Sequence, residues 1–415
     1  MRSPVLLSHT CIVCCITAAS WSAAQATTTY RTVYEFSGSP DGAGPMSTLI
    51  TDVAGNLYGT TTEGGTSDGG AVFVVTPTGV ESVLHSFGPQ NSARDGVGPQ
   101  SGVIADADGN LYGTTLQGGG GCGGHGCGVV YRIAPNGTET VLHKFRDKTD
   151  GHAPSGGLLA DGTGNLYGTT TLGGSGCNKL GCGTVFKISP DGSETLLYSF
   201  KGGSDGFLPY SGLIADSSGN LYGTTAGGGG SVCGQLGCGT VYRLSPDGSE
   251  TVLYSFKGGN DGAAPYAPLI IDSQGNFYGT TSQGGGGCGG TGCGTIFKLA
   301  PDGTETILHA FHGGTDGAVP YSSLIMDKLG NLYGTTQQGG GADKRGCFEN
   351  FGCGTVFELA PDGTETILIA FDPKHVQLPY GGLTATKQGH LYGTTEVSLS
   401  HGTLKGGVVF EVKPQ

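Results

Sequence analysis

One six-residue string, Asn-Leu-Tyr-Gly-Thr-Thr, governs what this chain can fold into. It starts at Asn56, Asn110, Asn165, Asn220 and Asn331, with variants at Asn276 (Phe for Leu) and His390 (His for Asn). The intervals between starts are 54, 55, 55, 56, 55 and 59 residues. A period of this length means a solenoid, a propeller or an array. The chain holds 84 glycines and 19 prolines among 415 residues. Without a period that content reads as low complexity; with one, the glycines read as turn residues.

Each unit reads as four short strands. In the fourth unit these are Leu208 to Asp216, Asn220 to Thr225, Gly239 to Leu244 and Glu250 to Phe256. Ser217-Ser218-Gly219 and Pro246-Asp247-Gly248 are hairpin turns, with glycine where φ must be positive. No segment keeps a helical period over ten residues. Four antiparallel strands per unit is the pattern of a propeller blade. The two ends distinguish a ring from an open stack, which would need atypical capping repeats. Tyr30 to Phe36 matches the fourth strand of a blade, and the last repeat stops after its third strand, Gly407 to Val412. The fold expected is therefore all-β: a seven-bladed β-propeller of four-stranded antiparallel blades over residues 27–415, with the N-terminal strand completing the last blade. That pairing removes two exposed sheet edges. Small residues after the proline of strand one, such as Ser211-Gly212 and Gly381-Gly382, put that strand at the crowded axis. The recurrent tyrosine of strand two, Tyr58 to Tyr392, reads as core packing between blades.

Residues 1–26 read as a secretory signal peptide. Arg2 supplies the positive charge, an apolar stretch runs from Val5 to about Ala19, and Ala24-Gln25-Ala26 is a small-x-small cleavage site. The stretch is too short and interrupted for a spanning helix. Secretion, to the periplasm or the exterior, follows. The only tryptophan, Trp21, lies in this segment. Beyond it the cysteines form five local pairs: Cys122/Cys127, Cys177/Cys182, Cys233/Cys238, Cys288/Cys293 and Cys347/Cys353. Each lies in the glycine-rich loop between strands two and three of blades two to six. In an exported chain, even count and local pairing point to disulfides. Structural zinc needs four ligands at one point, and each loop offers two thiols.

The net charge is −13, and the basic residues are scattered singly. Nucleic acid and anionic membrane surfaces both need clustered Lys and Arg, so neither is an expected partner. A monomer is expected. No cofactor is required; calcium is the one candidate. The connection before strand one carries Asp-Gly-x-x-Pro at Asp41, Asp95, Asp150, Asp205, Asp261 and Asp316, with His375 in the seventh place. These are expected around the mouth of the ring, as a cation- or polyol-binding ring or simply as a repeated turn. Beside the strand-one proline stand Tyr210, Tyr266, Tyr321 and Tyr380, against Met46, Gln100 and Ser155 in the other blades. A tyrosine arc on one side of the mouth suits stacking on a sugar or clamping a peptide. The ligand-binding candidates are thus these four tyrosines with Asp205, Asp261, Asp316 and His375.

Catalytic residues are not recognisable. His85, His143 and His309 share a fourth-strand position with Tyr34, Tyr198, Tyr254 and Ile369, an interchange that suggests packing. His125, His152, His312 and His401 fall outside the repeat, and nothing in sequence ties them together. The run from Gly118 to Gly121 lacks the lysine and helix of a phosphate loop.

The repeat, as in Asp216-Ser-Ser-Gly-Asn-Leu-Tyr-Gly-Thr-Thr225, Gly239-Thr-Val-Tyr-Arg-Leu-Ser-Pro-Asp-Gly248 and Thr251-Val-Leu-Tyr-Ser-Phe256, resembles the GloVer (Gloeo-Verruco) tandem repeat family over residues 30–415. That resemblance implies bacterial surface or secreted proteins and a repeat scaffold, without a set activity. The chain ends at Gln415 with no sorting segment, which sets it apart from anchored members. More distantly, Asp-x-x-Gly-Asn-Leu-Tyr is similar to the blade signature of NHL-type propellers and of virginiamycin B lyase. The lyase's metal-binding pattern has no counterpart here, so only fold is implied. The function expected is a non-catalytic extracellular binding or scaffold module for a glycan or protein. The alternative is a hydrolase or lyase working at the mouth.

Overall fold

The computed structural model describes residues 28–89, 95–146, 150–177, 179–230, 233–341, 352–372, 376–400 and 403–414. The expected signal peptide and Cys347, His375 and His401 lie outside them. Seven four-stranded antiparallel sheets follow one another as the blades of a ring. In blade four the strands run, from axis to rim, Ile214–Ala215, Leu221–Thr225, Thr240–Leu244 and Glu250–Ser255. The innermost strand is shorter than its sequence suggests. Only Ile214 and Ala215 pair, with Tyr222 and Leu221. The residues before them begin at Pro209, which has no N–H to give, and face the axis instead of a ladder partner.

The repeated string is a set of six separate jobs. In Asp-x-x-Gly-Asn the aspartate closes the hairpin: Asp216 Oδ1 accepts the N–H groups of Ser218 and Asn220, and Oδ2 accepts Asn220 Nδ2 at 2.7 Å. The leucine is core, as at Leu57, 1% exposed. The tyrosine differs from the packing role expected of it alone. Its ring is mostly only half-buried, and its hydroxyl donates to the same aspartate, 2.9 Å from Tyr222 to Asp216. The glycine has no positive φ to explain it. It is needed because an aromatic ring from strand three lies over it; a Cβ on Gly168 would stand 2.5 Å from Phe186. The first threonine ties blade to blade: Thr169 Oγ1 donates to Ser211 O at 2.8 Å, and Thr60 to Ser101 O at 2.9 Å. The second is fully buried and bonds within its own blade, as Thr225 does to Gly227 O and Thr240.

The same inter-blade bond joins the last blade to the first. Thr394 Oγ1 donates to Ser47 O at 3.0 Å, and Gly382 N to Thr48 Oγ1 at 2.9 Å. The ring is closed as expected: Thr29–Glu35 is the outer strand of blade seven, paired antiparallel with Val408–Lys413. Phe36 fills the place that Phe87, Phe145, Phe200, Phe256 and Phe311 fill elsewhere, fully buried. The seam carries a fastening of its own. Glu411, its side chain 3% exposed, accepts Arg31 Nε at 2.9 Å, His390 Nδ1 at 2.8 Å and the Tyr392 hydroxyl at 2.9 Å. It stands in for the hairpin aspartate, which is Thr386 in this blade. Blade seven also replaces the cysteine loop with a hairpin, Val397–Ser400 and Thr403–Lys405, paired to Val376–Gln377.

Candidate functional site

Every inner strand is entered through a proline, and the residue before it is left-handed in all seven blades. Gly44 and Gly98 take φ near 65°; Ala153, Leu208, Ala264, Val319 and Leu378 take φ of 55–59°. For a residue with a Cβ this backbone costs about 1–2 kcal/mol, and for the β-branched Val319 it is an outlier. Held strain of this kind clusters at ligand-facing positions. The residue after the proline reaches the axis, where Met46, Gln100, Ser155, Tyr210, Tyr266, Tyr321 and Tyr380 line one cavity of about 350 Å³.

The four tyrosines form an unbroken arc. Ring centroids are 5.1 Å apart from Tyr210 to Tyr266, 5.1 Å from Tyr266 to Tyr321 and 5.7 Å from Tyr321 to Tyr380. Each ring is half-buried. Burial raises all four pKa values, Tyr321 and Tyr210 add to it at Tyr266, and Tyr380 and Tyr210 add to it at Tyr321, so the phenols stay protonated. Among the described residues, the hydroxyls of Tyr210, Tyr266 and Tyr321 have no protein hydrogen-bond partner, whereas Tyr380 meets Gln337. Opposite the arc stand Met46, Gln100 and Ser155, with Ser, Thr and Gly below them. Among the described residues lining this cavity there is no carboxylate, imidazole, amine or guanidinium. The surface can stack and exchange hydrogen bonds. Among the described residues it presents no acid–base pair and no metal-ligand set.

The aspartates do not ring this mouth, contrary to expectation. Asp205, Asp261 and Asp316 sit at the end of the outer strand. Tyr198 Oη donates to Asp205 at 2.6 Å, Tyr254 Oη to Asp261 at 2.5 Å, and His309 Nε2 lies 3.1 Å from Asp316. The physical reason is reach: the connection leaves the rim before it crosses to the axis, so its first residues stay near the strand they follow. His85, His143 and His309 pack edge-on against Phe87, Phe145 and Phe311, as expected, and they also face Asp95, Asp150 and Asp316 in turn. Of the non-repeated histidines, His125, His152 and His312 belong to different blades or connections, and none lines the cavity.

Four of the five expected cysteine pairs are described in full as disulfides, Cys122–Cys127, Cys177–Cys182, Cys233–Cys238 and Cys288–Cys293, with Cα atoms 5.2–5.3 Å apart. The expected fifth bridge, Cys347–Cys353, is not among these four, because Cys347 lies outside the described residues. Cys353 itself is disulfide-bonded and 1% exposed, packed in the core cluster that holds Phe371 and Leu383. A side chain on Gly202 or Gly313 would meet the sulfurs of Cys177 or Cys288, so each of those bridges packs on the connection leading to the next blade. No helix among the described residues is long and apolar enough to cross a membrane.

A model of the Gloeobacter/Verrucomicrobia repeat matches residues 18–237 and 233–415, nearly the whole chain. The chain belongs to the Gloeobacter/Verrucomicrobia repeat family. No curated protein matches this repeat protein. Among solved structures it is similar to one named as the extracellular domain of a one-component system, BT4673, from B. thetaiotaomicron. There the identity is 12% and the TM-score 0.54, over 90% of this chain and 39% of that one. The repeat protein thus spans about two fifths of that chain's length. A structure named for a 6-phosphogluconolactonase from Bacteroides fragilis matches at 17% identity and TM-score 0.49, over 82% of this chain and 87% of that one. At such identities the first likeness speaks for the propeller fold alone.

Proposed function

We propose that this repeat protein is an exported, non-catalytic binding module whose site is the axial mouth, and whose ligand is an uncharged, hydroxyl-rich glycan end. One observation carries the reading: four contiguous tyrosines line a cavity that, among the described residues, presents no charged side chain. Tyrosine faces suit the apolar face of a sugar ring, and the hydroxyls of Tyr210, Tyr266 and Tyr321 suit its polar edge. The strained residues before Pro209, Pro265, Pro320 and Pro379 hold that arc in place. The disulfides fit an oxidising compartment outside the cytosol. A chain of net charge −13 disfavours an anionic polymer.

The test is retention of the protein from residue 27 onward on immobilised polysaccharides and cell-wall fractions, with the supernatants assayed for released sugar. Saturable retention that weakens at least about tenfold in Tyr266→Ala/Tyr321→Ala, with nothing released, supports the module. Released sugar would overturn it in favour of a hydrolase or lyase. No retention on any glycan would shift the ligand to a protein.

A further inference from the structure

A second constellation repeats around the rim, away from the mouth, and it spans neighbouring blades. It has three members. A ring on the outer strand (Tyr198, Tyr254 or His309) meets an aspartate in the following connection (Asp205, Asp261 or Asp316). A glutamate opens the outer strand of the next blade (Glu250, Glu305 or Glu365). The same set stands at the three earlier junctions as Tyr34/Asp41/Glu81, His85/Asp95/Glu139 and His143/Asp150/Glu194. At the junction of blades six and seven all three change together, to Ile369, His375 and Tyr30. Residues that change as a set within one chain act as a set.

The geometry says what the set lacks. Asp205 accepts Tyr198 Oη and Lys201 N, both at 2.6 Å, and Asp261 accepts Tyr254 Oη at 2.5 Å and Lys257 N at 2.6 Å. At Asp316 burial is outweighed by the hydrogen bonds of His309, Glu365 and the His312 N–H, which lower the carboxyl's pKa. Against these aspartates, Oε1 of Glu81, Glu139, Glu194, Glu250, Glu305 and Glu365 is buried and makes no hydrogen bond among the described residues. Two carboxyl groups face each other across a blade boundary, and a proton between them supplies the missing bond. We infer that a proton on the glutamate, donated to the facing aspartate, latches the blade junctions at Glu250, Glu305 and Glu365, so that the ring is tightest in mild acid and loosens when the medium turns alkaline.

Burial first, and the facing aspartate second, push Glu250 and Glu305 up to about 7. The groups facing Glu250 are Asp205 and Lys201 from the connection, Tyr198 from the preceding blade and Tyr242 from its own. Those facing Glu305 are Asp261, Lys257 and Tyr254. Lys201 and Lys257 act against the shift and the aspartates outweigh them. A glutamate whose folded pKa is raised contributes stability that is full below its unfolded value and lost as pH rises through the folded one.

The experiment compares wild type with Glu250→Gln/Glu305→Gln, whose amides keep a donor on each aspartate but cannot ionise. Melting temperature is read from about pH 5.5 to about pH 8.5 in chelator and again with calcium. The wild type is expected to lose several degrees across that range. The variant is expected to lose less and to melt above wild type at the alkaline end. Equal slopes, or a variant that melts lower at every pH, would overturn the latch. So would a calcium-induced rise at alkaline pH that the variant lacks, since the carboxylates would then hold a cation. Infrared spectra of the wild type alone supply a second readout. A protonated-carboxyl band that persists near pH 6 and fades above neutrality supports the inference, and its absence refutes it.

Discussion

Replacing Arg31 with alanine should weaken the seam that closes the ring. Arg31 lies on the N-terminal strand and Glu411 on the C-terminal one, 380 residues apart, and the guanidinium meets the carboxylate through Nε at 2.9 Å and a terminal nitrogen at 2.8 Å. The Glu411 side chain is 3% exposed and that of Arg31 is 51% exposed. The pair therefore falls between a surface bridge, worth up to about 1 kcal/mol, and a buried one whose breakage costs about 3–5 kcal/mol. His390 and Tyr392 remain on the carboxylate after the change, which puts the loss near 2 kcal/mol. Burial pulls Glu411 upward, but the hydrogen bonds from Tyr392 and Arg31 outweigh it and leave its pKa below the usual range. Its stability is thus present above the unfolded value and lost as pH falls through the folded one. Urea unfolding of wild type, Arg31→Ala, Glu411→Gln and the double variant reads the coupling, expected at about 1–2 kcal/mol near neutral pH and shrinking in acid. Additivity of the two single changes to within about 0.3 kcal/mol would refute the argument, because strands that do not meet cannot couple.

Tyr131 and Tyr242 carry fully buried hydroxyls without a partner where other blades have phenylalanine. Tyr131→Phe and Tyr242→Phe should each raise stability by about 1 kcal/mol in urea unfolding. Gly168→Ala drives a methyl into Phe186 and should cost about 1–3 kcal/mol by the same measurement. Removing one bridge with Cys177→Ser/Cys182→Ser should cost roughly 2 kcal/mol in urea unfolding.

The sequence carried the blades because period and turn chemistry repeat seven times, and it carried the closure because Tyr30 to Phe36 matches Glu250 to Phe256. It did not carry what the side chains do within a blade. Gly168 reads as a turn residue until Phe186 is seen over it, and Thr169 reads as a strand former until it reaches Ser211 of the next blade. The tyrosine arc was legible because it breaks the symmetry of the ring. The aspartates were misplaced because Asp-Gly-x-x-Pro fixes order along the chain and not the radius at which each residue sits; only the reach of Tyr198 to Asp205 reveals the rim. Glu411 sits in no repeated motif, and only the loss of aspartate at Thr386 hinted that another carboxylate must serve the hairpin.

Tyrosine emission gives the most direct measurement at the mouth, because Trp21 is the only tryptophan and precedes the expected mature chain. The protein from residue 27 onward is titrated with a neutral oligosaccharide and with its carboxylated counterpart, alongside Tyr321→Ala. The account predicts a saturable change with the neutral sugar, little with the charged one, and loss of the response in the variant. An unchanged spectrum, or the same response in Tyr321→Ala, would contradict it.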